Sequence, residues 1–259
     1  MRPPLAAVLF DLDDTLHDDT ATYQRAAERV AQDVAAERDV DAGMLFAAYV
    51  KQAESFWINL APEQLGTPLV GLRARMWLAA LRDAGIDDAK LAERCGQSYN
   101  RYRKDHLKLW PGALELLVAL RGRGLKLGLV TNGFAETHRE KLVLLNLEEA
   151  FDEIFIADEV GMIKPAPRLF RLACERLGAA PEASAMVGDR YERDVRGAHA
   201  VGLYTVWLNV RNETVPAGAP QPDAIVPNIE AVEAALPLPP QPDPPLSLRP
   251  KPAESRRGE

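Results

Sequence analysis

The chain has 259 residues, of which 47% are hydrophobic and 27% charged, and its net charge is −7 at pH 7. This length and composition are typical of a globular protein with one domain plus an insertion, or with two small domains. The negative charge disfavours a sequence-independent nucleic-acid binder, which needs a basic surface, but it is compatible with a small anionic substrate.

The sequence predicts a cytoplasmic protein without a membrane partner. The apolar run at the N-terminus is short and ends at Asp11, which is not typical of a signal peptide. No apolar run approaches the length of a membrane span. Cys95 and Cys174 are far apart and have no metal-ligand spacing, so we expect buried free thiols in a reducing compartment.

The first predicted element is a buried strand at Leu5–Phe10, which runs directly into the acidic segment Asp11-Leu12-Asp13-Asp14-Thr15. Burying charged groups is costly unless a cation or a ligand compensates them. In open α/β sheets, ligands bind just beyond the carboxyl ends of the strands. The segment therefore predicts an active site.

Helical periodicity continues for about ninety residues after Thr15, which is far more than one crossover connection needs. We expect an all-helical cap domain at 17–106, placed as a lid over the end of the first strand. Asp19 or Thr20 is the expected cap of its first helix. The predicted helices extend to about Arg38 and then cover Gly43–Trp57, Thr67–Ala84 and Asp87–His106.

Two groups of side chains in this cap have predicted positions. Its apolar core is expected to contain Tyr49, Trp57 and Trp77. A solvated face is expected to carry Arg73, Arg75, Arg101, Arg103 and Lys104. One of these cations is a candidate to reach the substrate, but the sequence does not single it out.

The remainder of the chain alternates apolar runs with helical patterns. The predicted strands are Leu125–Thr131, Glu153–Ala157, Ser184–Gly188, Leu203–Leu208 and Asp223–Val226. The predicted helices begin at Pro111 and then cover Phe134–Leu145, Pro165–Leu177 and Tyr191–Val201. Because the strands are continuously apolar and alternate with helices, we expect an α/β fold with a doubly wound, mostly parallel sheet. This core domain comprises 1–16 and 107–236, and a proline-rich flexible tail is predicted at 237–259.

Polar groups follow three further strands of the predicted sheet. Thr131 and Asn132 end the second strand, Lys164 follows the third, and Gly188-Asp189 and Asp194 follow the fourth. If the strands are parallel, these groups converge with Asp11 and Asp13 on one edge of the sheet. Each group alone is weak evidence, but the four in this order are specific.

With these motifs the chain resembles the haloacid dehalogenase (HAD) superfamily, in the branch whose helical cap is inserted after the first strand. The resemblance rests on Asp-x-Asp-x-Thr at Asp11–Thr15, on Thr131, on Lys164 and on Gly-Asp-x4-Asp at Gly188–Asp194. It covers about Leu5 to Leu236 and implies a magnesium-dependent phosphatase that acts through an aspartyl-phosphate.

The chemistry of phosphoryl transfer suggests the same roles. Asp11 is the candidate nucleophile, and Asp13 the candidate general acid and base. Mg²⁺ prefers hard oxygen ligands, which Asp11, Asp189 and the backbone carbonyl of Asp13 can supply. Asp194 is expected behind the metal, holding metal-bound water or orienting Lys164. The phosphate is expected to bind Thr131, Asn132 and Lys164.

The neighbouring polar residues have simpler expected roles. Arg190 is expected to pair with Asp194 or Asp13, and Asp14, Asp18 and Asp19 to serve as turn formers or helix caps. Within helices, His138 and His199 are expected to be structural. His17, at the cap connection, is a candidate for substrate contact.

The function predicted from these residues is Mg²⁺-dependent hydrolysis of a small phosphomonoester, whose partner is a phosphorylated metabolite. A 2-haloacid dehalogenase would use the same nucleophile without a metal, and the presence of Asp13 and Asp189 disfavours it. A sugar-phosphate mutase shares the motifs. A non-catalytic binding module is the fourth reading, and the presence of every motif disfavours it. The sequence predicts neither the substrate nor the oligomeric state.

Overall fold

The computed structural model describes residues 2–66 and 68–240, which form a six-stranded sheet. The strands are β1 Ala7–Phe10, β2 Lys126–Thr131, β3 Glu153–Ile156, β4 Ser184–Gly188, β5 Tyr204–Leu208 and β6 Ala224–Val226. They lie in the order β3-β2-β1-β4-β5-β6, and every neighbouring pair is parallel. This architecture confirms the predicted fold class.

The position of the central strand β1 explains why the predicted strands are continuous apolar runs in the sequence. It lies between β2 and β4, and its four side chains are fully buried. Val8 and Phe10 belong to the hydrophobic cluster on one face of the sheet, whereas Ala7 and Leu9 belong to the cluster on the other. Successive strand residues point to opposite faces, so a strand covered on both faces needs apolar residues at every position.

Four helices follow β1 in the sequence and form the insertion, namely α1 Asp19–Glu37, α2 Ala42–Ile58, α3 Leu69–Asp83 and α4 Ala89–Lys104. They pack around a hydrophobic cluster that contains the stacked rings of Tyr49 and Trp77, whose centroids are 3.9 Å apart. Trp57 is only half-buried against this cluster. Phe134, which follows β2, is a member of it, so the helices rest on the core beside the end of the second strand.

The first residues of α1 differ from the prediction. Asp18, rather than Asp19 or Thr20, caps the helix, because its Oδ1 accepts a hydrogen bond from the Ala21 N–H at 3.0 Å. Asp19 is already helical, and its Oδ1 lies 2.7 Å from Lys141 Nζ in the core. A capping signal is local and does not reveal this long-range ion pair.

Six shorter helices follow, namely α5 Ala113–Gly122, α6 Ala135–Leu144, α7 Ala157–Val160, α8 Pro167–Arg176, α9 Arg196–His199 and α10 Val232–Ala235. Helices α8 and α9 cover the face of the sheet that carries Ala7 and Leu9, whereas α5 and α10 cover the opposite face. The predicted helix at 191–201 starts as a π-helical turn, Tyr191–Val195, before α9. Such wide turns often occur at functional sites.

The end of the described chain is partly packed. Residues 237–240 form no regular element, but Leu238 packs against the same hydrophobic cluster as α5. The remainder of the predicted tail, 241–259, lies outside the described residues.

Among the described residues, no helix combines the length and the apolar character that crossing a membrane requires.

Candidate active site

A cavity of about 930 Å³ lies between the carboxyl edge of the sheet and the inserted helices. Its lining includes every residue predicted to be catalytic, phosphate-binding or metal-binding, namely Asp11, Asp13, Thr131, Asn132, Lys164, Asp189 and Asp194. They converge because β1, β2 and β4 are neighbours and parallel strands end at the same edge of the sheet. The structure thus brings the whole predicted set together, while the role of each residue stays a prediction.

Lys164 lies between two of the carboxylates. Its Nζ is 2.6 Å from Asp11 Oδ1 and 2.7 Å from Asp194 Oδ1, and all three side chains are buried. Burial opposes a charge on the lysine, but Asp11 and Asp194 outweigh that effect and raise the pKa of Lys164. A charged ammonium is therefore held directly beside the candidate nucleophile.

Asn132 holds the loop that carries Lys164. Its Nδ2 donates to the Lys164 carbonyl at 3.0 Å, and its Oδ1 accepts from the Lys164 N–H at 2.8 Å. These two bonds tie the end of β2 to the loop before α8. The amide side chain of Asn132 thus positions Lys164, a role that the sequence motif did not predict.

Thr131, the last residue of β2, presents a buried hydroxyl to the cavity. Within the described part of the chain, its Oγ1 has no hydrogen-bond partner. Buried polar atoms without partners are uncommon in folded proteins. The hydroxyl is therefore suited to bind an oxygen of a ligand.

Asp189 forms a group of three buried carboxylates with Asp11 and Asp194. One oxygen of each lies within 4.8 Å of the others. Burial, with Asp11 and Asp194 nearby, raises the pKa of Asp189 well above its ordinary value. Crowded buried anions are costly without a cation, and carboxylate oxygens are the ligands that Mg²⁺ prefers. This group can therefore hold a divalent cation.

Two arginines lie beside Asp189, and only one of them was considered in the sequence. Arg190 Nε is 3.3 Å from Asp189 Oδ2, so the expected pairing of its side chain with Asp194 or Asp13 is wrong. Only the backbone N–H of Arg190 reaches Asp194, at 2.9 Å. Arg211, in the loop after β5, also pairs with Asp189. No motif marks Arg211, because it is brought to the site by the fold alone.

Asp13 is surrounded by three basic side chains. Lys141 Nζ lies 2.6 Å and His17 Nε2 lies 2.8 Å from its Oδ1, while His138 Nε2 lies 3.3 Å from its Oδ2. Burial opposes ionisation of Asp13, but Lys141 and His138 outweigh that effect and hold its pKa well below the ordinary value. Asp13 is therefore ionised at neutral pH.

His138 and Lys141 are site residues that the sequence motifs missed, and the expected structural role of His138 is incomplete. Their spacing carries a signal, because residues three apart on α6 share one face of a helix that begins just after Thr131. Gly133 supports this placement. A Cβ added to Gly133 would lie 1.9 Å from the His138 Cε1 atom, so a side chain there would displace the imidazole.

The inserted helices also contribute charged groups to the cavity. Arg73 of α3 and Arg103 of α4 line it and are 7% and 3% exposed, so their prediction as part of a solvated face is wrong. Arg75, Arg101 and Lys104 are exposed, as predicted. A face that the periodicity assigned to solvent is thus divided between solvent and the cavity.

Among the polar contacts between the insertion and the core are two hydrogen bonds to backbone groups of the insertion. Arg193 Nη2 donates to the Trp57 carbonyl at 2.6 Å, and Asp158 Oδ1 accepts from the Gly66 N–H at 2.5 Å. The second oxygen of Asp158 accepts from the Ala135 N–H at the start of α6. These contacts hold the insertion over the carboxyl edge of the sheet.

Comparisons with known proteins give matches over most of the chain. The sequence profile described as haloacid dehalogenase-like hydrolase matches residues 5–202. The glyceraldehyde 3-phosphate phosphatase of Methanopyrus kandleri is 32% identical over 87% of this chain and 92% of its own length. The N-acylneuraminate-9-phosphatase of Mus musculus is 31% identical over 89% of this chain and 93% of its own length.

A solved structure shares the fold. The HAD-hydrolase YfnB from Bacillus subtilis superposes with a TM-score of 0.73 at 23% identity, over 90% of this chain and 99% of its own. At this level of identity, the likeness concerns the architecture.

Proposed function

Because the chain belongs to the haloacid dehalogenase-like hydrolase family, we propose that it is a phosphatase that hydrolyses small phosphomonoesters. The observation that carries the proposal is the meeting of Asp11, Lys164 and Asp13 in one cavity. They are a nucleophile, a cation and a proton-transfer group, the parts that phosphoryl transfer through a carboxylate requires. Relatives named as phosphatases match almost the whole chain, which supports the same conclusion.

Asp11 attacks the phosphorus of the bound ester. A bond forms between its carboxylate oxygen and phosphorus as the bond from phosphorus to the alcohol oxygen breaks, which leaves an aspartyl-phosphate. Lys164 places positive charge 2.6 Å from Asp11 Oδ1, where it stabilises the charge on the transferred group. Water then attacks the phosphorus, releases inorganic phosphate and restores Asp11.

Asp13 transfers the protons in both steps. It protonates the departing alcohol and then accepts a proton from the attacking water. Because Asp13 is ionised, the first step requires that a proton reach it. His17 Nε2 lies 2.8 Å from its Oδ1 and is the candidate donor. Lys141 Nζ, at 2.6 Å, keeps its proton and positions the carboxylate.

Mg²⁺ is the proposed cofactor, held by the carboxylates of Asp11 and Asp189 and the backbone carbonyl of Asp13. The like-charged oxygens of the three buried carboxylates support this assignment. When bound, Mg²⁺ neutralises charge on the phosphoryl oxygens and favours attack by an anionic nucleophile. Asp194 positions Lys164 from behind, since its Oδ1 lies 2.7 Å from Nζ.

Three groups, at the end of β2 and in the loop before α8, bind the transferred phosphoryl group. They are the unpartnered hydroxyl of Thr131, the backbone N–H of Asn132 and the ammonium of Lys164. The clamp between Asn132 and Lys164 fixes the latter two relative to each other. Such preorganised donors act without reorganisation during the reaction.

The proposed domain division is a core at 1–16 and 107–236 and a cap at 17–106. The cap would close over the substrate, exclude water and select the leaving group, so the substrate is a small phosphorylated metabolite. A cavity of about 930 Å³ suits such a ligand. The proposed location is the cytoplasm, which the free, buried Cys95 and Cys174 support.

The site favours phosphoryl transfer over dehalogenation, although solved dehalogenases share this fold. A dehalogenase attacks carbon and uses no metal. Asp189, which completes the group of three crowded carboxylates with Asp11 and Asp194, and the proton-transfer position of Asp13 would have no use in that reaction. They match the needs of a magnesium-dependent phosphatase.

The test is phosphate release from a panel of small phosphomonoesters, measured with Mg²⁺ and again with EDTA. We expect release that depends on the metal and needs no bisphosphate activator. Halide release from 2-chloropropionate without phosphate release would instead identify a dehalogenase. Turnover that yields a phosphate isomer and no free phosphate would identify a mutase.

A further inference from the structure

Two buried arginines of the cap face the same cavity as the candidate nucleophile. Arg73 and Arg103 come from different helices, α3 and α4, and both line the cavity with Asp11. Arginine is seldom fully buried unless it is paired. Several N–H donors of both guanidinium groups have no acceptor among the described residues.

Arg73 makes one hydrogen bond to the described residues. Its Nη2 donates to Thr137 Oγ1 at a long 3.3 Å, and its guanidinium carbon lies 5.2 Å from the centre of the Tyr99 ring. No carboxylate of the described residues lies within 4 Å of it. A guanidinium carries five N–H donors and stays charged, so most N–H donors of Arg73 have no acceptor among the described residues.

Arg103 shares the one carboxylate that it reaches among the described residues. Its Nη2 lies 2.7 Å from Glu140 Oε2, while Lys104 Nζ lies 2.5 Å from Glu140 Oε1. Its Nε and Nη1 are buried and have no acceptor among the described residues. The Glu140 carboxylate therefore serves two cations, Arg103 and Lys104. The N–H groups on Nε and Nη1 of Arg103 can still donate hydrogen bonds to a ligand.

The carboxylates of the same cavity wall do not neutralise this pair. Asp19 is paired with Lys141 at 2.7 Å. Asp18 caps α1, and Glu54 accepts a long hydrogen bond from Tyr23 at 3.4 Å. None of these three carboxylates pairs with Arg73 or Arg103, so neither guanidinium has a carboxylate partner on the cap side of the cavity among the described residues.

We propose that Arg73 and Arg103 bind a second anionic group of the substrate, a carboxylate or a second phosphate carried by the leaving alcohol. The planar guanidinium fork matches the oxygens of both groups in bidentate geometry. The inference rests on the proposed function, since it assumes that the scissile phosphate lies at Asp11. An uncharged alcohol would leave the buried N–H groups unpaired, which selects against it.

The experiment compares esters that differ only in this group. The pairs are 6-phosphogluconate with glucitol 6-phosphate, 3-phosphoglycerate with glycerol 3-phosphate, and fructose 1,6-bisphosphate with fructose 1-phosphate. We expect kcat/KM for the member with the second anionic group to exceed that of its partner by about tenfold or more. A hydrogen bond to a charged group contributes about that factor. The first two pairs report a carboxylate and the third a second phosphate.

Variants connect the preference to the two arginines. In Arg73→Met and Arg103→Met, the kcat/KM ratio within the preferred pair should fall by about 10- to 100-fold. Arg75→Met and Arg101→Met remove exposed arginines from the same helices and should keep the ratio. Circular dichroism and thermal melting verify that each variant is folded.

Binding tests the inference separately from turnover. Calorimetric titration of the Asp11→Asn variant should show tighter binding of 6-phosphogluconate or fructose 1,6-bisphosphate than of the matched ester, and Arg73→Met should remove the difference. Equal binding and equal turnover within every pair would overturn the inference while leaving a phosphatase. Failure of the folded wild-type protein to hydrolyse any ester, p-nitrophenyl phosphate included, would overturn the proposed function instead.

Discussion

The ammonium of Lys141 and the carboxylate of Asp13 form a close ion pair, with 2.6 Å between Nζ and Oδ1. Lys141 also lies 2.7 Å from Asp19 Oδ1, so it connects the loop after β1, the first turn of the cap and a helix of the core. Burial opposes its charge, but Asp13 and Asp19 outweigh that effect and raise the pKa of Lys141. This lysine therefore fixes the group that is proposed to move protons.

Replacing Lys141 should slow turnover without unfolding the protein. For Lys141→Met we expect kcat to fall by about 10- to 100-fold, because positioned acid–base groups contribute at least that much. Lys126→Met, which removes an exposed lysine paired with Asp152, is the matched control and should retain the wild-type kcat. An unaltered kcat in Lys141→Met would remove Lys141 from the proton-transfer scheme.

The Asp11→Asn variant should lose turnover, because an amide oxygen is a poor nucleophile and cannot form the aspartyl-phosphate. Phosphate release by the purified variant is the measurement, with Asp39→Asn, an exposed position, as control. Circular dichroism should show the same secondary structure in both. Wild-type phosphate release by Asp11→Asn would exclude the proposed mechanism.

Magnesium should stabilise the fold as well as support turnover. A ligand that binds only the folded state adds about 2.7 kcal/mol at a concentration 100 times its Kd. We expect MgCl₂ to raise Tm relative to NaCl at equal ionic strength, and EDTA to reverse the shift. In Asp189→Asn the shift should largely vanish, since one of the three crowded carboxylates is gone. A Tm shift of equal size in that variant would place the metal elsewhere.

The two tryptophans of the predicted cap core should differ in their effect on stability. Trp77 is fully buried and stacked on Tyr49, whereas Trp57 is half-buried at the cavity wall. We expect Trp77→Ala to cost about 3–5 kcal/mol of the free energy of unfolding, and Trp57→Ala clearly less. Urea unfolding monitored by circular dichroism gives both values, and equal losses would contradict the packing described above.

Both thiols should be unreactive in the folded protein. Burial raises the pKa of Cys95 to about 12 and also raises that of Cys174. The thiolate is the reactive form, so little of it is present at pH 8. An aromatic disulfide reagent should label neither cysteine in the native state and both in concentrated urea. Rapid labelling of the native protein would show that a thiol is accessible.

The motif residues were predictable because their positions are set locally. Asp11, Thr131 and Asp189 each lie at or just after the end of an apolar strand, and parallel neighbours bring strand ends to one edge. The alternation of predicted strands and helices was likewise sufficient to predict a mostly parallel sheet. The helical character of the long insertion follows from its periodicity.

The remaining site residues depend on contacts between distant elements. Arg211 meets Asp189 only because β5 lies beside β4, and Arg73 faces the cavity only because α3 packs over the sheet edge. Helical periodicity shows that an arginine lies on a polar face. Whether that face contacts solvent or a cavity depends on how the inserted helices pack on the sheet domain. No local sequence pattern carries that information.

Two of the hydrogen bonds that join the insertion to the core have a kinetic consequence for the proposed cap closure. Arg193 with Trp57 and Asp158 with Gly66 together contribute about 1–3 kcal/mol to the shut arrangement, at the usual net value for such bonds. Removing both should therefore shift the balance towards an open cavity by a factor of roughly 5 to 150. In the proposed closure the ester enters, and the alcohol and phosphate leave, through the open cavity, so removing either bond should speed product escape and admit water to the phosphorylated carboxylate.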